Sequence, residues 1–457
     1  MVIRRLSVRG RPLSPNPLQC NLTRLELLRP SVDSAPLQVV DSAAIVQMQW
    51  ISLQMHGSNA RANSRRLLSL FSGCGGFDLG FVQEGFNCIG AFDIDPVAIS
   101  THRRNLCSDA SVADLTSASL QNIASFRGID VVLAGSPCQG FSTAGKRDVN
   151  DPRNSLLLSA GRIALQVKPR VFIVENVPAV MAGSHRKYWD ELQAMLCGAG
   201  YRCAVLRCTA DRFGLPQIRA RVVLIAIDRC RNTSVINLPA RTERSIRDVI
   251  SDLQGARNHE PLCLGPGTRA ALIAKKIQPR QKLCNVRSGT SAVHTWQIPE
   301  VFGTTTRVER EILEAIMKLR RRDRLRTSGD ADPVTMSSIE KMIGRPVEGN
   351  VKQLLEKNYL RKKGKRFDLT HTFNGKFRRL SWDHPSCTVD TRFGDPQLFL
   401  HPGEERGFTV REAARIQGFP DTFVFEGSRK QQFTMVGNAV PPPMARWIAT
   451  VTSEILK

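Results

Sequence analysis

Three short segments of this 457-residue chain place reactive side chains beside apolar runs. Gly135-Ser136-Pro137-Cys138-Gln139-Gly140-Phe141-Ser142 follows Val131-Val132-Leu133-Ala134. A cysteine at the carboxyl end of a buried strand faces the mouth of an α/β site, where its thiolate is a candidate nucleophile; the plainer reading is a buried structural thiol. Glu175-Asn176-Val177 ends the run Val171–Val174. A carboxyl there caps a helix, pairs with a base, or donates a proton at raised pKa. Gln217-Ile218-Arg219-Ala220-Arg221 leads into Val222–Ile227, and strand alternation puts Gln217, Arg219 and Arg221 on one face. Three polar groups aimed at one edge suit an anion or a nucleobase; lone arginines more often face solvent.

A further turn belongs to the same edge. Leu67–Phe71 stops at Ser72-Gly73-Cys74-Gly75-Gly76-Phe77, and a second strand, Cys88–Phe92, ends at Asp93-Ile94-Asp95. Glycines at such a turn let amides approach a ligand, and an acid at the next strand end can bind ribose hydroxyls. The spacing departs from GxGxxG, so a nucleoside cofactor without a pyrophosphate fits better, with a plain tight turn as the alternative. Helical stretches at Arg153–Gln166 and Tyr188–Leu196 separate the strands, which predicts a parallel, doubly wound sheet. In Met444–Leu456 an apolar face of Met444, Trp447, Ile448, Val451 and Ile455 predicts a final helix docked on the first domain.

Charge bounds the partner. The formal net charge is +24. Residues 231–366 hold 28 Lys and Arg against 14 Asp and Glu, a net +14, whereas 65–230 and 367–457 are close to neutral. A basic region set into a near-neutral body points to a polyanion such as nucleic acid. No apolar run approaches the ~18–20 residues of a membrane span. The twelve cysteines form no CxxC pair and no His/Cys group at zinc spacing, so no metal is expected and reduced, mostly buried thiols are. Residues 1–64 read as a flexible basic extension without a signal-peptide core; a start at Met48 or Met55 is an alternative.

Taken in order, these segments resemble the DNA cytosine-5 methyltransferase family. So do Arg411-Glu412-Ala413-Ala414-Arg415-Ile416-Gln417-Gly418-Phe419-Pro420 and Gly437-Asn438-Ala439-Val440-Pro441-Pro442. The resemblance covers about 65–230 and 370–457. It implies a Rossmann-like methyltransferase sheet that uses S-adenosyl-L-methionine to methylate C5 of a cytosine flipped out of duplex DNA. By it, Cys138 matches the nucleophile that adds to C6, Glu175 the acid at N3 and Arg221 the arginine at O2, supported by Arg219 and Gln217. Phe71, Gly73, Gly75 and Gly76 match the methionine and adenine cradle, and Asp93 the ribose acid. Asp114-Leu115 resembles the adenine-reading pair, with Asp109 as the alternative acid. Pro137, Leu156 and Asn438 match further cofactor contacts.

The resemblance places a catalytic and cofactor domain at 65–230, completed by 431–457, and a target-recognition domain at 231–430. Residues 305–367 depart from a short recognition region. Helices at Arg307–Arg322, Ser337–Ile343 and Glu348–Lys357, then the basic turn Arg361–Arg366, predict a winged-helix-like insertion. The expected protein is a cytoplasmic, nucleoid-associated monomer on DNA, the modification partner of a separate restriction endonuclease. An RNA (tRNA) cytosine-5 methyltransferase and a catalytically inactive DNA-binding regulator are the rival readings.

Overall fold

The computed structural model describes residues 64–116, 123, 126–137, 151–230, 236–326 and 331–457. The extension 1–63 and the candidate nucleophile Cys138 lie outside the described residues.

Seven strands build the central sheet: β1 (Arg66–Leu70), β2 (Asn87–Asp93), β3 (Ala110–Val112), β4 (Val131–Ala134), β5 (Val171–Asn176), β6 (Tyr201–Thr209) and β8 (Ala220–Asp228). Their order is β3-β2-β1-β4-β5-β8-β6. A two-residue strand, β7 (Gln217–Ile218), pairs elsewhere with Ser386–Cys387. The first five strands run parallel, with helices α1 (Gly76–Gln83), α2 (Pro96–Asn105), α3 (Leu156–Val167) and α4 (Arg186–Gly198) along the chain between them and β6.

The apolar runs have no polar alternation because both faces are covered. Alternate residues still go to different layers. Leu68, Val132, Phe172 and Val174 pack with α3 and α4 through Leu157, Ile163, Trp189 and Leu192. Leu67, Val131, Val171 and Ile173 face the other way, onto Met444, Ala445 and Ile448 of the C-terminal helix. That helix therefore does dock on the first strands, as its apolar face predicts.

One expectation fails. The sheet is not wholly parallel: β8 runs antiparallel to both β5 and β6. The connection 210–219 carries only a short 3-10 turn and β7, too little for the crossover that a parallel return needs. The edge strand β6 is also absent from the sequence reading. Its pattern YRCAVLRCT mixes polar with apolar residues and lacks the continuous buried run of its neighbours.

Within 231–430 the short parallel pair β9 (Lys282–Cys284) and β10 (Ala292–Val293) precedes a separate unit of structure. Helix α5 (Arg307–Arg322) is followed by β11 (Val334–Thr335), α6 (Met336–Ile343) and α7 (Glu348–Glu356). Strands β12 (Leu360–Lys363) and β13 (Arg366–Leu369) complete a three-stranded antiparallel sheet of order β11-β13-β12. A capping box starts α5: the Glu309 amide donates to Thr306 Oγ1, and the Thr306 amide donates to the Glu309 carboxylate. The loop between β12 and β13 has Gly364 at φ +61, the left-handed residue that a two-residue hairpin requires. Ile312, Ile316, Leu319, Ile339, Leu354 and Phe367 give this unit its own apolar core.

Helices α8 (Val410–Ile416), α9 (Arg429–Asn438) and α10 (Pro442–Ile455) close the chain. Another core joins Phe393, Phe408 and Val436 to Cys74 and Leu79, so the late chain packs on the glycine turn. Among the described residues, no helix is long and apolar enough to cross a membrane.

Candidate active site

The carboxyl ends of β1, β2, β4 and β5 open into a cavity of about 510 Å³. The glycine turn forms its floor. Phe71 and Gly73 both have positive φ, at +52 and +54, so the chain leaves β1 through a tight bend. Gly76 has no room for a side chain: a Cβ there would lie 2.6 Å from the Val440 carbonyl oxygen. Glycine at this position lets the start of α1 touch the segment after α9.

Asp93 is tied to that turn. Its Oδ2 accepts from the Gly73 amide at 2.9 Å and its Oδ1 from the Asp95 amide at 2.9 Å. Burial pushes the Asp93 carboxyl above its usual range, opposed by those two amide bonds. Asp114 also lines the cavity and accepts from the amide and hydroxyl of Thr116, which hold its carboxyl low. The alternative acid, Asp109, does not line it.

Glu175 and Arg221 form the opposite wall. They are brought together because β5 and β8 are antiparallel neighbours. Arg221 Nε lies 2.6 Å from Glu175 Oε1. Burial raises the Glu175 pKa, with Arg221 and Arg219 pulling against it. A carboxyl balanced this way can hold a proton longer than an exposed one, yet has a cation at hand when it ionises. The next residue fixes the loop that leads to Cys138: Asn176 Nδ2 donates to Ser136 Oγ at 3.0 Å and to the Ser136 carbonyl at 3.3 Å.

Residues 65–454 match the family model of the C-5 cytosine-specific DNA methylase. The chain belongs to that family. It is a DNA cytosine-5 methyltransferase. The methylase is 29% identical over 404 residues to the type II methyltransferase M.DdeI of Desulfomicrobium norvegicum, covering 84% of this chain and 87% of that one. It is 30% identical over 410 residues to M.XorII of Xanthomonas oryzae pv. oryzae, covering 85% of this chain and 84% of the relative. In fold it resembles a prophage-encoded DNA modification methyltransferase of E. coli, with a TM-score of 0.52 and 23% identity over 86% of this chain and 99% of the other.

The structure of the methylase gathers most of the predicted residues around one space. Phe71, Gly73, Gly76, Asp93, Asp114, Leu115, Pro137, Leu156, Glu175, Arg221 and Asn438 all line the cavity. Gly75 does not; it turns toward His102 and Leu106 at φ +94. Gln217 and Arg219 share the inward face with Arg221, as alternation predicts, but sit behind the wall. Arg219 donates to the carbonyls of Val389, Gly437 and Ala439 at 2.9–3.0 Å. Gln217 Nε2 donates to the Ile416 carbonyl and the Gln417 side chain. Arg219 therefore holds the segment that presents Asn438 directly, and Gln217 reaches it through Gln417, whose Nε2 donates to the Val436 carbonyl.

Sequence reasoning missed Ile94, Val177 and Thr434 as lining residues. Ile94 carries a signal in hindsight, because an apolar side chain sits between two acids and is 67% exposed. Burial pushes the thiol of Cys74, the other cysteine of the motifs, up to about 12, which disfavours its reactive thiolate form.

Proposed function

We propose that this methylase transfers a methyl group from S-adenosylmethionine to C5 of a cytosine flipped out of a specific duplex sequence, through a covalent bond between Cys138 and C6. The observation that carries this reading is the buried Glu175–Arg221 pair on the wall of a cavity whose far side holds Asp93 and the glycine turn. The cofactor fits what is there. A cavity this size holds a nucleoside with an amino-acid tail, and Gly73 has nothing within 4 Å of a notional Cβ, leaving its backbone open to a ligand. Asp93 has a lone pair left on each oxygen for ribose hydroxyls, and Ile94 offers an apolar surface for a planar base.

When bound, S-adenosylmethionine supplies an electrophilic methyl on a sulfonium. The chain's own residues do the rest. The Cys138 sulfur bonds to C6, and the C5–C6 π pair shifts toward C5 as Glu175 donates a hydrogen bond or proton at N3. Arg221 holds O2 and balances Glu175 when that carboxyl ionises. With the methyl on C5 and the sulfonium left as a thioether, the C5 proton would pass to water as the sulfur–C6 bond breaks, and N3 would return its proton to Glu175, restoring the ring. Asn176 ties Ser136 to the end of β5, so the chain leaves that strand edge toward Cys138 from a fixed point.

The methylase would then act as a modification enzyme beside a separate restriction endonuclease, as a cytoplasmic, nucleoid-associated monomer on DNA. The type II names of its relatives support this reading. We assign catalysis to 65–230 with 431–457 and target recognition to 231–430. The order helix, strand, helix, helix, hairpin in 305–367 supports a winged helix, with α7 entering a major groove and the basic β12–β13 turn on the backbone.

Tritiated methyl transfer to duplex DNA and to tRNA tests the substrate; preference for tRNA overturns the reading. A covalent adduct with 5-fluorocytosine DNA should form, and should vanish in Cys138→Ser while cofactor binding survives. Bisulfite sequencing of DNA from an expressing host reads the target sequence directly.

A further inference from the structure

Three residues with no common motif meet beneath the glycine turn. Asp78 on α1, Cys88 on β2 and His102 on α2 bring one ligand atom each to within 4.8 Å of one another. His102 Nε2 lies 3.5 Å from Asp78 Oδ1, and Cys88 Sγ lies 3.9 Å from the same oxygen. Asp78 and His102 are completely buried. A second thiol, Cys107, sits against the Cys88 side chain and donates to the Cys88 carbonyl at 3.0 Å. The intervals between these residues are 10, 14 and 5, so no linear zinc pattern announces them.

The group is poorly satisfied by protein alone. Asp78 Oδ2 and His102 Nδ1 are buried without a hydrogen-bond partner, and His102 Nε2 meets only Asp78 Oδ1, at 3.5 Å. A buried carboxylate and imidazole are costly unless paired, bonded or bound to a metal. Bond lengths of about 2.0–2.3 Å in a tetrahedral zinc site put ligand atoms roughly 3.3–3.8 Å apart. The observed separations of 3.5 and 3.9 Å need only a slight contraction to reach that range. One carboxylate, one imidazole and two thiols form a soft, mixed set that favours zinc over magnesium or calcium.

We propose that Asp78, Cys88 and His102 form a structural Zn²⁺ site in this methylase, with Cys107, whose sulfur stands outside that group of three, turning in as the fourth ligand. The ion would join α1, β2 and α2. Asp78 lies in the first turn of α1, directly after the glycine turn, Cys88 stands at the start of the strand that ends at Asp93, and His102 packs on the turn, 2.8 Å from where a Gly75 Cβ would stand. Zinc would therefore stiffen the cofactor floor from below without entering the cavity.

Elemental analysis of the full-length protein, purified without chelator, should give one zinc per chain. Cys88→Ser and His102→Gln should each reduce it to background. A variant that fails to fold would lose metal for another reason, so the unaltered chain supplies a second readout. After chelation and dialysis, Co²⁺ should produce a thiolate-to-cobalt charge-transfer band with tetrahedral d–d bands at one equivalent. Cys197 and Cys203, whose sulfurs lie 3.6 Å apart near the surface, are the control. Their joint replacement by serine should leave both readouts intact. Background zinc together with no cobalt band overturns the proposal, as does metal that depends on Cys197 and Cys203 instead.

Discussion

Glu175 is the residue where burial and charge work against each other. Its raised pKa means that the protonated form persists to higher pH than for an exposed glutamate, and is lost as pH rises through the shifted value. The rate on duplex DNA should therefore have an alkaline limb in kcat/KM that belongs to this carboxyl. Glu175→Gln should lower kcat by about 10²–10⁴-fold, remove that limb and leave cofactor affinity within a few-fold; a limb that survives the substitution assigns it to another group. Arg219 makes a different kind of prediction. Its guanidinium satisfies three backbone carbonyls, each of which loses a charged donor in Arg219→Ala. We expect a loss of about 3 kcal/mol or more in urea unfolding, while a change below about 0.5 kcal/mol would show that solvent replaces those bonds. The motif QxRxR was legible as a unit, yet only Arg221 reaches the cavity. Spacing gives the face of a strand, and only the packing of residues 389–439 decides which arginine reaches open space.

At the scale of elements, legibility followed patterning. Helix α5 was readable to the residue, because Ile312, Ile316 and Leu319 mark one face and Thr306 caps it. The buried strands were readable as runs, but runs carry no direction. The antiparallel turn of β8 depends on the shortness of 210–219, and β6 hides in mixed polarity at the sheet edge. The basic hairpin was visible as charge, but its internal roles were not. Arg361 and Lys363 face the buried Asp368 at 2.9 and 3.8 Å, and Arg320 joins the same carboxylate. Arg361 and Lys363 tie the two strands of the hairpin together and Arg320 ties it to α5, which leaves Lys362 and Lys365 as exposed residues outside that network. The double change Lys362→Ala, Lys365→Ala should leave thermal stability unchanged. It should weaken DNA binding and reduce the slope of log K against log salt by up to about 2; an unaltered slope means that the hairpin does not touch phosphate.

Over the whole molecule, the two ends of the described chain share a core. Gly80 on α1 meets α10 so closely that a Cβ would lie 2.3 Å from the Arg446 amide nitrogen. A chain ending at Val440 loses Met444, Ala445 and Ile448 from the second face of the sheet. It should give no cooperative melting transition by calorimetry; a normal transition would show that the sheet is stable with that face bare. The net charge falls into place at this scale too. More than half of it lies in 231–366, none of whose described residues lines the cavity, so the cavity takes its character from acids and glycines rather than from the basic region.

The position of Asn438–Val440 on the cavity wall has a consequence in time. These residues are synthesised long after the first strands, and the bonds that anchor Gly437 and Ala439 to Arg219 span 218 and 220 positions of chain. A polypeptide still attached to the ribosome has its first strands available but lacks one side of its own cofactor cavity. Methyl transfer should therefore begin only once residues 437–440 have been made and have found these distant partners. A chain stopped before Asn438 would contain Glu175 and Arg221 but lack that wall of the cavity.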